Sequence, residues 1–187
     1  MSPALAAHLA GAIDTPRLLL EPLTGAHAAA FFPLLQEDAL YEWISMTKPD
    51  SLGDLTEAWR RSEQRVSPDG LFAWLAWAVR RRSDGRIIGR VDAEIDAKPE
   101  ATNLGYYFFS PFWGQGHASE AVAAASEQLI ARGVRRLVAT VTVGNLASAR
   151  VLRKAGFEFT RILPANDVVR GRAVDDEEYV RLAPLRY

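Results

Sequence analysis

Two glycines one residue apart, Gly114 and Gly116, lie in the stretch SPFWGQGHASEA, between an aromatic run (Tyr106–Phe109) and an alanine-rich run. Small residues at the mouth of a helix leave its first amides approachable, and the helix dipole adds roughly half a positive charge there. That combination holds phosphates. The same letters also make a tight strand-to-helix turn without a ligand, and spacing alone does not separate the two readings. Neighbouring letters exclude two common phosphate ligands. A dinucleotide fingerprint needs a third small glycine-type residue where Ser119 stands, and an acid at the end of the next strand, where the chain reads TVTVGN. A nucleoside-triphosphate loop needs Gly-Lys-Ser/Thr, which is absent. No lysine or arginine lies within the turn, so an anion held there is expected to rest mainly on backbone amides.

Asn145 and Ser148 form a second group with chemistry in it. Their i, i+3 spacing puts both on one side of a helix, toward its open N-terminus, where Asn is also an excellent cap. Asp92 and Glu94 share a strand face and, with Tyr106, are the candidates for a general base. Each also fits a solvated strand face. Of the tryptophans Trp43, Trp59, Trp74 and Trp77, which could line a pocket, Trp74 and Trp77 are expected in the core. Trp43, in the loop YEWISMTKP, is the better pocket residue, since such loops shape specificity.

These residues need a scaffold of alternating elements. PRLLLEPLT (16–24) reads as a strand. Thr24 could cap a helix running to about Leu40, although Pro33 argues that it starts late, bends or breaks. SLGDLTEAWRRSEQRV (51–66) has helical spacing of Leu52, Leu55, Trp59 and Val66. LFAWLAWAVRR (71–81) and RIIGRVDAEID (86–96) are strands joined by a Ser-Asp-Gly turn, and KPEAT is the loop to a third strand, NLGYYFF (103–109). A helix follows over 115–132 with Gly133 as its stop, then a β-branched strand over 135–143, then a short helix between Asn145 and Gly156. FEFTRI and EEYVRLA are late antiparallel strands. Strand, helix, strand over 103–143 is a right-handed crossover with parallel strands. The fold class is therefore α/β (α+β): a mixed, mostly antiparallel sheet with one parallel pair. Residues 1–14 read as a loosely ordered leader and 15–187 as one domain.

Composition narrows the function. The 187 residues carry a formal net charge of −1, with 49% hydrophobic and 24% charged residues, so no global field draws nucleic acid or an anionic membrane. The basic cluster Arg80–Arg82, followed by Ser-Asp-Gly, reads as a solvated strand end. No cysteine is present, and His8, His27 and His117 are scattered, so no metal site is expected. No apolar run approaches a membrane span, and no basic region precedes the mildly apolar start, so a cytoplasmic protein is expected.

LGYYFFSPFWGQGHASEA with GVRRLVATVTVGNLASARVLRKAGFEF closely resembles the acyl-CoA-binding core of the GNAT N-acetyltransferases, in the branch of the ribosomal-protein N-terminal alanine acetyltransferases. The signature Gln/Arg-x-x-Gly-x-Gly/Ala falls on Trp113, Gly116 and Ala118, with Trp113 in the form usual for that branch, and TPRLLLEPLT resembles its opening strand. The resemblance implies a sheet splayed at its parallel pair, with helices on both faces, and acetyl-CoA as cosubstrate. It implies that the pyrophosphate sits on the amides of Gln115, Gly116, His117 and Ala118 around Gly114, with Ser119 and Arg153 also in the coenzyme site. The pantetheine arm would lie along the backbone of Phe108, Phe109 and Ser110 and bond Asn145, and Ser148 would stand near the sulfur. Ser148, Glu94 and Tyr106 are then the expected catalytic residues, while Asn103 occupies a place where relatives often carry Glu. The implied reaction is direct attack of a primary amine, from a protein N-terminus or a small molecule, on the thioester. An α-amine of pKa about 7.7–8.0 needs less help from a base than a lysine near 10.4. The alternative is a non-catalytic acyl-CoA sensor. Late edge strands could pair two chains into a homodimer.

Overall fold

Gly85, in the left-handed conformation at φ +70°, closes the Ser-Asp-Gly turn and sends the chain back antiparallel. This hairpin seeds the sheet of the computed structural model, which describes residues 1–98 and 100–184. Pro99 of the expected KPEAT loop and the last three residues of the expected domain lie outside the described residues. The strands are β1 (Ile13–Asp14), β2 (Leu18–Pro22), β3 (Ala73–Arg81), β4 (Ile87–Ile95), β5 (Glu100–Phe108), β6 (Arg136–Thr142), β7 (Glu158–Val169) and β8 (Arg172–Leu182). Their order is β1-β2-β3-β4-β5-β6-β8-β7, and every pairing is antiparallel except β5 with β6. Glu100–Thr102 belong to β5 rather than to a loop.

The helices are α1 (Pro3–Leu9), α2 (Ala28–Phe31), α3 (Leu52–Ser62), α4 (His117–Ala131) and α5 (Leu146–Lys154). They divide between the two faces of the sheet. Successive residues of β5 point to opposite faces. Tyr106 meets Ser148 of α5, whereas Tyr107 stacks edge-on with Phe31 of α2, centroids 6.5 Å apart. α1, α4 and α5 cover the Tyr106 face; α2 and α3 cover the Tyr107 face. Apolar residues of both layers close on buried strand residues such as Leu75, Trp77, Ile88 and Leu104.

Two expectations need correction. The first 14 residues are not a loose leader. Ser2 caps α1, Pro3 opens it, and Ala6 and Leu9 are buried in the core. Trp77 Nε1 and Gln128 Nε2 both donate to the carbonyl of Gly11, which ties the segment down. The helix expected from Thr24 to about Leu40 is broken into a 3-10 turn (Gly25–His27), the one-turn α2 and two further 3-10 turns (Leu34–Gln36, Asp38–Glu42). Pro33 sits at the break, as its missing N–H requires. The Arg80–Arg82 cluster is an ion-paired strand end: Arg80 meets Glu21, Arg81 meets Asp84, and Arg82 meets Asp14.

Candidate active site

β5 and β6 are paired only at Glu100 with Arg136 and Ala101 with Leu137. The β4–β5 register shifts between Glu94 and Ile95, leaving Thr102 as an extra residue directly after the parallel pair. A bulge at that place bends β5 away from β6, and the two strands diverge beyond it. Phe109 N–H donates to Ile88 O of β4 at 3.0 Å. Backbone groups alternate in direction along a strand, so those of Tyr106 and Phe108 face the gap. The carbonyl of Phe108 is taken by the indole Nε1 of Trp113 at 2.5 Å. Phe109 turns its carbonyl to Phe112 N, and the Ser110 hydroxyl donates to Glu37. Of the expected Phe108–Ser110 contacts, the N–H of Phe108 is the one facing the gap, with Tyr106 N–H below it.

The gap ends at the glycine turn. Gly114 and Gly116 adopt φ of +73° and +79°, and a Cβ at 114 would meet nothing within 4 Å. The turn leads straight into α4, whose first amides, on His117, Ala118 and Ser119, have no partner in the preceding turn of helix. His117 contributes backbone only, because its ring is buried with Nδ1 unpartnered. Burial, with Arg17 and Arg81 nearby, lowers the pKa of that ring. The turn has no cation in its own sequence, as expected, but a distant one reaches it in space. Arg17, directly before β2, donates from Nη1 to Gln115 O at 3.0 Å, and its Nη2 lies 3.5 Å from where a Gly116 Cβ would be. Glu120, in the first turn of α4, holds it there, accepting from Arg17 Nε at 2.5 Å, Arg17 N at 3.1 Å and Thr15 Oγ1 at 2.7 Å. Sequence spacing hides this, since about a hundred residues separate Arg17 from the turn. The basic residue directly before the LLLEP run was the available signal.

Across the gap on the Tyr106 face stands a hydroxyl pair. Tyr106 Oη lies 2.7 Å from Ser148 Oγ and donates to Ser148 O at 3.0 Å. Burial pushes the Tyr106 phenol well above its usual value, so it stays protonated. Asn145 Oδ1 accepts from Ser148 N at 3.1 Å, capping α5 and fixing the serine at the helix mouth. Arg153, at the other end of α5, donates to the Tyr179 hydroxyl at 3.0 Å and is not brought to the glycine turn.

The expected carboxylates lie on the opposite face from Tyr106. The pairs Trp74–Glu94, Glu94–Asn103 and Asp92–Gly105 share one face, and Val91–Tyr106 has the other. Both Glu94 oxygens are engaged, Oε2 by Trp74 Nε1 (3.0 Å) and Oε1 by Thr102 Oγ1 (2.9 Å). Asp92 leans over Gly105, its Oδ2 only 3.0 Å from where a Cβ would stand, so the missing side chain lets the carboxylate reach over β5. Trp74 is 42% exposed and lines a cleft rather than the core, whereas Trp77 is fully buried. Trp59 is buried against Phe31, ring centroids 4.9 Å apart. Trp43 packs its ring 3.6 Å from a Cβ position on Gly144 and takes Thr142 Oγ1 on its carbonyl, beside the turn from β6 into α5.

Residues 17–158 match the acetyltransferase (GNAT) domain family. An N-acetyltransferase of Bacillus subtilis, YoaA, is 27% identical over 181 residues, covering 92% of this chain and 97% of that protein. The solved structure of RimL, a ribosomal L7/L12 α-N-protein acetyltransferase in complex with coenzyme A, superposes with a TM-score of 0.81. Its identity is 20%, with 91% of this chain and 97% of that chain covered. MccE, a microcin C7 self-immunity acetyltransferase in complex with acetyl-CoA and AMP, gives 0.75 at 18% identity, covering 90% and 93%. At such identities the two structures speak for the fold alone.

Proposed function

The chain belongs to the GNAT acetyltransferase family, and on that premise we propose that it transfers the acetyl group of acetyl-CoA directly to a primary amine, across the gap between β5 and β6. The observation that carries this reading is the Tyr106–Ser148 hydroxyl pair set across strands that separate after only two paired residues. The residues fit an acyl-CoA. Glycine-opened amides and Arg17 suit a pyrophosphate, and free strand N–H groups suit an amide-bearing arm and a thioester oxygen. Acetyl-CoA supplies the activated acyl carbon. The amine nitrogen bonds to that carbon, the C–S bond breaks, and the sulfur leaves with the electron pair.

The two faces of the sheet divide the work. On the Tyr106 face, Ser148 Oγ donates to the departing sulfur while the Tyr106 hydroxyl, 2.7 Å away, turns its proton from Ser148 O to Ser148 Oγ. On the other face, Asp92 takes the proton that the nitrogen loses, directly or through water. Asp92 suits this role better than Glu94, whose oxygens are both spent on Trp74 and Thr102. Ser148→Ala is expected to lower kcat at least tenfold with little change in coenzyme affinity. Unchanged kcat in the purified variant removes Ser148 from the mechanism.

A further inference from the structure

On the Asp92 face, a cleft of about 230 Å³ lies between the sheet and the turn after α3, with Leu23, Arg65, Trp74, Arg90, Asp92 and Asn103 among its walls. It is smaller than the few hundred Å³ of a drug- or cofactor-sized site and suits a molecule the size of one amino acid. Its floor includes β5, the strand whose other edge faces the gap. A group beside Asp92 over Gly105 is therefore one strand from the proposed thioester.

Two guanidinium groups, Arg65 and Arg90, and two carboxylates, Asp92 and Glu94, line the cleft, but they are not evenly paired: Glu94 is held by Trp74 and Thr102, and Asp92 by Arg90. The buried Nε of Arg90 lies 3.3 Å from Asp92 Oδ1, an ion pair without hydrogen-bond geometry. The hydroxyl of Tyr107, its cross-strand neighbour, is buried beside the same guanidinium with no well-formed hydrogen bond. Arg65 donates to Leu23 O at 3.2 Å and, among the described residues, has no carboxylate within ion-pair distance. Its backbone stands at φ +56°, which costs a non-glycine residue about 1–3 kcal/mol and concentrates at ligand sites. The conformation is held by Arg65 N on Ser62 O and by Trp74 N on Arg65 O. Buried donors without acceptors call for a partner, and a guanidinium pair calls for a carboxylate.

We propose that the acceptor is a small amine that also carries an anionic group, of the α-amino-acid type, its nitrogen beside Asp92 and its carboxylate on Arg65 and Arg90. Arg90 and Asp92 are two residues apart on one strand face, about 7 Å between Cα atoms, so a compact zwitterion can touch both. Trp74 and Leu23 offer apolar surface to a side chain. A peptide N-terminus would instead present a neutral amide there and leave Arg65 without an anion.

This inference rests on the acetyl-transfer reading, and its test separates the two. Thiol release from acetyl-CoA is measured with alanine, serine and leucine, with their carboxamides, and with a tripeptide of each N-terminal residue. The free acids are expected to exceed the carboxamides and peptides at least tenfold in kcat/KM. Arg65→Gln is expected to lower kcat/KM for the acids at least tenfold and bring the ratio toward one, with coenzyme A still bound as proof of folding. Equal turnover of acids and amides, or a preference that survives Arg65→Gln, overturns the inference and leaves acetyl transfer standing. If none of these acceptors turns over, titration of the coenzyme-A-loaded protein with leucine decides: no binding at millimolar leucine also overturns it. Failure of every amine in a wider panel, peptides and polyamines included, counts against acetyl transfer itself.

Discussion

Replacing Tyr106 with Phe separates two ways of helping the sulfur leave. The thiol of coenzyme A, with an ordinary pKa of about 8.5, is a stronger acid than a phenol near 10. Burial pushes Tyr106 higher still. Full proton transfer from Tyr106 is therefore uphill by more than 1.5 units, or at least about 2 kcal/mol at 1.36 kcal/mol per unit. A neutral hydroxyl donating through Ser148 carries no such penalty, and a hydrogen bond between neutral hydroxyls contributes about 0.5–1.5 kcal/mol. Tyr106→Phe should then lower kcat by about 2- to 12-fold, leave the coenzyme dissociation constant within about twofold, and leave the shape of the pH–rate profile unchanged. Because Tyr106 Oη and Ser148 Oγ are 2.7 Å apart, the double variant Tyr106→Phe/Ser148→Ala should lose much less than the product of the single losses. Presteady-state measurement of thiol release gives kcat for the chemical step, and isothermal titration gives the coenzyme affinity. An unchanged kcat, multiplicative losses, or a basic limb that vanishes in Tyr106→Phe would refute the hydrogen-bond role.

The glycine turn should respond to charge with opposite signs. A unit charge about 6 Å from a phosphate interacts by about 2.8 kcal/mol at an effective dielectric of 20. Arg17 is half exposed, and salt screening leaves about 1 kcal/mol. Arg17→Ala is expected to weaken coenzyme A about fivefold, and Glu120→Gln to leave it unchanged or tighter; equal weakening in both titrations would mean that turn geometry, not charge, matters. Gly116→Ala, forced to φ +79°, should cost about 1–2 kcal/mol and a few degrees of Tm by calorimetry. Gly85→Ala, at φ +70° in the distant hairpin, should cost the same, and of the two Gly116→Ala alone should also weaken coenzyme binding. Burial alone would raise the Glu120 carboxyl, but the bonds from Thr15 and Arg17 outweigh it and hold its pKa below the ordinary carboxylate value. A depressed carboxylate contributes stability above its unfolded pKa and loses it as pH falls through the folded one. The urea midpoint gap between wild type and Glu120→Gln should be constant above about pH 5.5 and close toward pH 3; a gap independent of pH would refute this.

Local rules made the β3–β4 hairpin, α4 and the Asn145 cap legible from sequence. Ser-Asp-Gly, Gly133 and Asn145 each specify a backbone conformation within a few residues. The glycine turn was legible for the same reason. Arg17 was not, because what brings it to Gln115 is the pairing of β2 with β3 and the packing of α4, both long-range. The carboxylates show the same limit. Alternation placed Asp92 and Glu94 on one face, but that Tyr106 takes the other face depends on the β4–β5 register. Only the neighbours of Glu94 reveal that its oxygens are spent. Trp74 and Trp77 alternate imperfectly in an aromatic run, and the shift between sheet core and cleft rim is set by what covers each face.

Acetyl transfer across the β5–β6 gap is tested most directly by mixing the purified protein with acetyl-CoA and a panel of primary amines, and following free thiol and acetylated amine together by mass spectrometry. The expected result is thiol release that requires an amine, equals the N-acetyl product mole for mole, and falls at least tenfold in Ser148→Ala. Tight coenzyme binding with no amine turned over at any pH would contradict it and favour a protein that senses acyl-CoA without consuming it.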